Sequence, residues 1–178
     1  RHSYKKTLAE FLVRYDPKTD ETKKGMVGEF IAHLIINKVL PNLQTISIFF
    51  NKEELSIRKG FDLTYIDIKG DTVWYGEVKS GELGALPTPD HKNTHLLSVA
   101  KTDVDEKLSG ERPNLWNSVI IDAGLTFARR KSKKVKQLLD GDIREIQEFP
   151  GTKRNAILIS VLFHNTKNKI SAQSVKDY

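Results

Sequence analysis

Two strand-like segments that flank a short turn constrain the fold of this chain more than any other feature of its sequence. Residues 61–68 and 72–78 are rich in β-branched and aromatic side chains, which favour strands. Lys69-Gly70-Asp71 lies between them and is typical of a turn, because glycine tolerates a positive φ. The pattern predicts a β-hairpin in which Asp62, Glu77 and, just after the second segment, Lys79 stand among apolar side chains.

The register of the hairpin decides which of these charged residues face each other. If Gly70-Asp71 forms the loop, Asp62 is opposite Lys79. If Lys69-Gly70 forms the loop, Asp62 is opposite Glu77. Directly opposed residues of antiparallel strands project to the same face, and so do residues two apart on one strand. Both registers therefore predict one shared face for Asp62, Glu77 and Lys79.

Two carboxylates and an ammonium on one face are suited to phosphodiester hydrolysis with a divalent metal. Neighbouring carboxylates repel each other unless a cation lies between them, and Mg²⁺ or Mn²⁺ binds carboxylate, carbonyl and water oxygens. Asp62 and Glu77 are thus predicted metal ligands, and the carbonyl of Val78 is available as another. Lys79 is predicted to orient the attacking water or to stabilise transition-state charge. The alternative is an exposed hairpin edge with a surface ion pair.

The segments around the hairpin predict the order helix, three strands, helix, strand. Residues 22–40 have helical apolar spacing that ends at Pro41, and Glu29 lies one position away from the apolar stripe. Residues 45–50 are a strand candidate, and two helical stretches follow the hairpin. Residues 156–163 form a continuous apolar run, which is typical of a strand covered on both faces.

That order of elements, with Asp62 on the second strand and Glu77-Val78-Lys79 on the third, resembles the PD-(D/E)XK nuclease superfamily. The resemblance covers roughly residues 22–165. It implies an α/β fold with a restriction-endonuclease-like αβββαβ core, in which helices flank a mixed sheet. It also implies a Mg²⁺- or Mn²⁺-dependent endonuclease, in which Glu29 corresponds to the carboxylate that many members add from the first helix. The proline of the family name is absent, since Phe61 precedes Asp62.

A narrower resemblance concerns the two motif strands. Gly60-Phe61-Asp62 followed by Trp74-Tyr75-Gly76-Glu77-Val78-Lys79 is similar to the nuclease part of Hachiman-type antiphage proteins. This similarity implies a DNA-cleaving enzyme of antiphage defence or restriction. A helicase or another defence protein is the partner that it implies.

Composition limits the class of protein without deciding its function. The 178 residues suffice for one domain, and we expect a single nuclease-like domain over residues 1–178. The absence of cysteine excludes disulfides and thiolate metal sites, and a net charge of +6 suits a polyanionic partner. No apolar run approaches the ~20 residues that span a bilayer, so we expect a cytoplasmic protein without a membrane partner. Because Arg1 replaces a starting Met, we also expect a fragment of a longer protein.

A basic run lies in a helix that we predict from about Leu115 to Leu139. Ala128, Val135, Leu138 and Leu139 are expected to face the core. The cations on the other side of the helix are interpreted as a basic surface that contacts nucleic-acid phosphates beside the cleavage site. They are Arg129, Arg130, Lys133 and Lys134. The alternative is an ordinary solvated helix face. If the basic helix alone carries the function, the chain is a catalytically inactive nucleic-acid-binding module on the same fold.

The segment after the hairpin predicts a loop that runs into a helix. Residues 80–89 are rich in glycine and proline, which favours a loop. His91 and His95 have the spacing of zinc ligands on a helix, but no third ligand is near. Asn93 or Thr94 is predicted to cap the helix instead.

Overall fold

The computed structural model describes residues 4–48, 60–67, 69, 71–112, 114–165 and 169–176. The helices within these ranges are α1 (Tyr4–Tyr15), α2 (Asp20–Val39), α3 (Pro89–Lys107), α4 (Leu115–Thr126), α5 (Arg129–Glu148) and α6 (Gln173–Lys176). The strands are β1 (Leu43–Thr45), β2 (Leu63–Asp67), β3 (Val73–Glu82) and β4 (Asn155–Phe163). None of the described helices combines the length and apolar character that crossing a bilayer requires.

The described strands form one mixed sheet in the order β1-β2-β3-β4. The first two pairings are antiparallel, and β3 pairs with β4 in parallel. Helices flank this sheet, which confirms the predicted α/β class. The order from α2 to β4 also follows the expected αβββαβ plan, except that three helices lie between β3 and β4, where the plan has one and the sequence predicted two.

The hairpin has the register that brings Asp62 opposite Glu77. Leu63 pairs with Gly76 and Ile66 with Val73, so the next pair outward is Asp62 with Glu77. This is the register that the Lys69-Gly70 loop predicts, although Gly70 itself lies outside the described residues. Asp62 is not part of β2, which begins at Leu63; it lies in a bend just before the strand.

The predicted strand over residues 45–50 is wrong in its position. β1 covers Leu43–Thr45, and Phe49 and Phe50 lie outside the described residues. The chain leaves the sheet after Ile46 because α4 takes over its backbone groups. Thr126 Oγ1 donates to the Ile46 carbonyl at 3.0 Å, and the amide of Ile48 donates to Asp122 Oδ2 at 2.9 Å.

The single helix predicted from Leu115 to Leu139 is two helices. The break falls at Phe127, whose backbone is extended and whose ring is buried in the core. Burial of this ring turns the chain, so that α5 starts at Arg129 and packs back against α4. Val135 and Leu139 face the core as predicted and Leu138 packs against it, but Ala128 is exposed.

The predicted loop over residues 80–89 is shorter in the structure, and the predicted helix cap is wrong. β3 continues to Glu82 because it stays paired with β4 as far as Phe163. Helix α3 begins at Pro89, with Thr88 as its N-cap, so Asn93 lies inside the helix. Asn93 is buried there, donating to Ser174 at 3.1 Å and accepting a hydrogen bond from Ser160.

Two hydrophobic cores lie on opposite faces of the sheet, and alternation along β3 assigns its side chains to them. Tyr75 packs with Trp116 and residues of α3, α4 and α5 on one face, whereas Val78 packs with Ala32 of α2 on the other. Glu77 and Lys79 alternate with Val78 and therefore lie on the α3 side. β4 is half-buried rather than fully covered.

Candidate active site

Glu77 is a fully buried carboxylate held by two lysines. Its side chain is 1% exposed, and its Oε1 accepts a hydrogen bond from Lys79 Nζ at 2.9 Å. Its Oε2 accepts one from Lys107 Nζ at 2.5 Å. A carboxylate is costly to bury unless it is paired and hydrogen-bonded, and the two lysines provide both for Glu77.

Asp62 lies beside this pair. Its Oδ2 accepts a hydrogen bond from the Val78 amide at 2.8 Å, and its Oδ1 lies 3.9 Å from Lys107 Nζ. The ammonium of Lys107 is therefore between the Asp62 and Glu77 carboxylates. Phe61, whose ring centroid is 4.5 Å from that of Tyr75, anchors the bend that carries Asp62.

The carboxylates of Asp62 and Glu77 influence each other electrostatically. Burial raises the pKa of Asp62 from 3.8 to about 6, and the negative charge of Glu77 is the second cause of this rise. Lys107 and the hydrogen bond from the Val78 amide act in the opposite direction. The structure thus brings Asp62, Glu77 and Lys79 close together.

Glu29 of α2 belongs to the same electrostatic cluster. Burial raises the pKa of Glu29 from 4.5 to about 7, and the charges of Asp62 and Glu77 contribute next. Close packing of α2 on β3 sets this position: a Cβ on Gly28 would lie 2.7 Å from Ser80 Cβ. Only glycine permits this approach of the helix. The third predicted carboxylate is thus within electrostatic reach of the other two.

Lys79 is a fixed cation at the centre of the cluster. Besides Glu77, its ammonium binds Asp103 Oδ2 of α3 at 2.5 Å. Burial lowers the pKa of Lys79, but the hydrogen bonds to Asp103 and Glu77 outweigh that effect and raise the pKa above its usual value. Lys79 is therefore charged at neutral pH.

Sequence reasoning missed two members of this cluster, Asp103 and Lys107. Both lie on α3, where they continue the face that buries Ala100 and Val104 against the sheet. Residues three and four apart share a helix face, so charged residues in line with a buried stripe are the sign that could have revealed them. That sign shows that the two residues face the sheet, but not which strand residues they meet.

The donor chemistry of the cluster fits a hard divalent ion. Among the described residues, no three carboxylate or imidazole side chains are grouped as a ready-made metal site. The Lys107 ammonium, however, lies between Asp62 and Glu77 as a cation bound by two carboxylates. The Val78 amide points to Asp62, and in an extended strand the carbonyl of the same residue points to the same side. The oxygens suited to Mg²⁺ or Mn²⁺ are therefore present around a position that already attracts positive charge.

The predicted basic residues lie on the first turns of α5. Lys134 binds Asp71 at the hairpin turn. Asp71 is six residues from Glu77, which corresponds to about 20 Å along the strand. Lys134 therefore lies toward the hairpin-turn end of β3 and not beside the carboxylates. Arg129 and Lys133 instead help line an open cavity of about 600 Å³, whereas Arg130 is exposed.

Comparison with known proteins points to one family. Neither the curated proteins nor the solved structures contain a significant match to this chain. The model of the HamA family matches residues 1–178, which is the whole chain. HamA is associated with Hachiman-type antiphage defence, in agreement with the resemblance of the two motif strands. The chain therefore belongs to the HamA family.

Proposed function

We propose that this HamA-family chain is a metal-dependent nuclease that hydrolyses phosphodiester bonds of DNA in antiphage defence. One observation carries the proposal: Asp62 and Glu77 converge beside Lys79, around a position where a cation is held. The raised pKa of Glu29 supports it, because a third carboxyl lies close enough to feel the other two. Clusters of titratable groups with shifted pKa values are typical of functional sites.

Each residue of the cluster has a chemical role in this proposal. Asp62 and Glu77 would hold Mg²⁺ or Mn²⁺ with the Val78 carbonyl, and Glu29 would complete the acidic set. The ion, when bound, supplies polarisation of a phosphate oxygen and a lowered pKa of bound water. Lys79, held by Glu77 and Asp103, is oriented to position the water and to stabilise negative charge developing at the phosphate.

The basic face of α5 would contact the DNA away from the phosphodiester bond that is cleaved. About 20 Å corresponds to roughly six base pairs of duplex at 3.4 Å each. Arg129 and Lys133 would bind backbone phosphates there and fix the position of the duplex without reading its sequence. The partner is thus DNA, and a helicase or another defence protein would act with the nuclease.

One observation favours a second candidate, a catalytically inactive DNA-binding module. Lys107 already neutralises the carboxylates, and no three-ligand metal group stands ready among the residues that the structure describes. An inactive module would keep such an arrangement permanently. The two candidates differ in one property, because only the nuclease binds a divalent ion at Asp62 and Glu77.

The experiment combines cleavage with metal binding. Wild-type protein is incubated with plasmid DNA and Mn²⁺ beside an EDTA control, and Mn²⁺ binding is measured by calorimetry. Glu77→Gln tests the site, and Lys101→Met is the matched control, because Lys101 lies in an exposed ion pair with Asp105 on α3. The nuclease proposal expects cutting that EDTA abolishes and Mn²⁺ binding that Glu77→Gln removes. A protein that binds DNA but neither cuts it nor binds Mn²⁺ would establish the inactive module.

A further inference from the structure

We propose that Lys107 is the resident cation of the carboxylate cluster and competes with the divalent ion for it. The inference rests on the proposed function and concerns how its metal site is filled. The Lys107 ammonium occupies the position between Asp62 and Glu77. Metal binding then requires the lysine to withdraw.

The distances show that both cations need the same oxygens. Lys107 Nζ lies 2.5 Å from Glu77 Oε2 and 3.9 Å from Asp62 Oδ1. A hard divalent ion would take these oxygens at about 2.0–2.1 Å, which leaves no room for an ammonium in hydrogen-bond contact with them. Two positive charges at that separation also repel each other strongly in a poorly solvated site.

The two lysines of the cluster differ in their freedom to leave it. Lys79 is on the central strand β3 and binds both Glu77 and Asp103, so it stays in place. Lys107 is the last residue of α3, and the chain continues into irregular structure that includes Gly110 with a φ of 91°. Its side chain is 18% exposed. A rotation about its side-chain bonds can move the ammonium to solvent while the helix remains intact.

The consequence is a site that stays neutralised when metal is absent. Glu77 is fully buried, and without Lys107 it would keep Lys79 as its one hydrogen-bond partner among the described residues. Removing one partner of a buried charge destabilises a fold, because the remaining charge is left uncompensated. A bound divalent ion would restore the missing positive charge. Lys107 therefore stabilises the metal-free protein and weakens metal affinity at the same time.

The test measures Mn²⁺ binding without DNA, by calorimetry on the whole chain. Lys107→Met removes the charge and keeps the apolar stem, and Lys101→Met on the exposed side of α3 is the matched control. We expect Lys107→Met to bind Mn²⁺ about tenfold more tightly than wild type, since a competing charge is gone. Lys101→Met should bind as wild type does. We also expect Mn²⁺ to raise the Tm of Lys107→Met more than that of the wild-type protein.

A folded Lys107→Met variant that binds Mn²⁺ as wild type does, or more weakly, would overturn the proposal. If Glu77→Gln still abolished binding in that case, the metal site itself would stand and only the competition would fail. If neither wild type nor Lys107→Met bound Mn²⁺, both the competition and the proposed function would be contradicted. Should Lys107→Met fail to fold even with Mn²⁺, the polar Lys107→Gln variant is measured in its place, with the same expected gain in affinity.

Discussion

Lys107 Nζ donates to Glu77 Oε2 at 2.5 Å, so the last residue of α3 completes the charge balance of a carboxylate on β3. Thirty residues separate the two along the chain. Asp103, one turn earlier on α3, makes the corresponding contact with Lys79. The helix and the strand thus share one electrostatic cluster, and each depends on the other to keep its buried charges paired.

Lys79 should be required for DNA cleavage but not for DNA binding. Lys79→Met removes the ammonium and retains most of the packing, so we expect DNA cleavage to fall by roughly 10²–10³-fold. DNA affinity should stay within about threefold, because phosphate contacts elsewhere dominate it. Plasmid cleavage and filter binding measure the two quantities, with Lys101→Met as the control. Undiminished cutting by Lys79→Met would show that the ammonium has no role in the reaction.

The metal-free protein should lose stability as the pH rises through the acidic range. Burial and neighbouring charges raise the pKa of Glu29 from 4.5 to about 7 and that of Asp62 from 3.8 to about 6. A raised carboxyl pKa means that the folded state holds the proton more tightly. The resulting stability is complete below the unfolded pKa and is lost as the pH passes the folded pKa. For Glu29 the loss amounts to roughly 2–3 kcal/mol.

Urea unfolding of metal-free wild type and Glu29→Gln, followed from pH 4.5 to 7, measures this loss. The wild-type free energy of unfolding should decrease more steeply than that of the variant, since glutamine has no proton to lose. Parallel pH profiles for the two proteins would contradict the raised pKa of Glu29.

The close approach of α2 to β3 should tolerate no side chain at position 28. A Cβ on Gly28 would lie 2.7 Å from Ser80 Cβ, and we expect Gly28→Ala to destabilise the protein by roughly 1–3 kcal/mol. A Cβ on Gly25, one turn earlier on the same helix, would meet no atom within 4 Å in the part of the chain that the structure describes. Gly25→Ala should therefore stabilise the helix by up to about 1 kcal/mol. Chemical denaturation measures the free energy of unfolding of both variants. Equal changes in this free energy would show that Gly28 is not in tight contact with Ser80.

Arg129 and Lys133 should matter for DNA affinity more than Lys134 does. Lys134 is neutralised by Asp71, whereas Arg129 and Lys133 line the open cavity on α5. We expect Arg129→Ala with Lys133→Ala to reduce the salt dependence of DNA binding by about two charges and leave Mn²⁺ binding unchanged. Lys134→Ala is the comparison and should change binding less. Equal losses in both variants would mean that the ion pair with Asp71 opens when DNA binds.

Local patterns predicted the central part of the candidate site. Alternation along the hairpin placed Asp62, Glu77 and Lys79 on one face in either register, because a two-residue loop preserves the parity of the strands. The register itself was left open, and the structure shows the one that brings Asp62 opposite Glu77. The resemblance to a nuclease family is what points to Glu29, and the charges of Asp62 and Glu77 contribute to the raised pKa of its carboxyl.

The parts that sequence reasoning missed depend on contacts between distant segments. Lys107 and Asp103 meet Glu77 and Lys79 only after α3 has packed on the sheet. The break between α4 and α5 depends on the burial of Phe127. The sequence has no glycine or proline at this position that would predict a break. Asn93 resembles a cap in the sequence but fills a buried polar network with Ser160 and Ser174. In each case tertiary packing overrode a local preference.

Diffraction from a crystal soaked in Mn²⁺, recorded at an energy where manganese scatters anomalously, tests the central claim most directly. We predict an anomalous peak within about 2.0–2.2 Å of Asp62 Oδ1 and Glu77 Oε2, with the Lys107 ammonium displaced from between them. A soaked crystal with no peak at these oxygens, and with Lys107 still bound to Glu77, would contradict the claim.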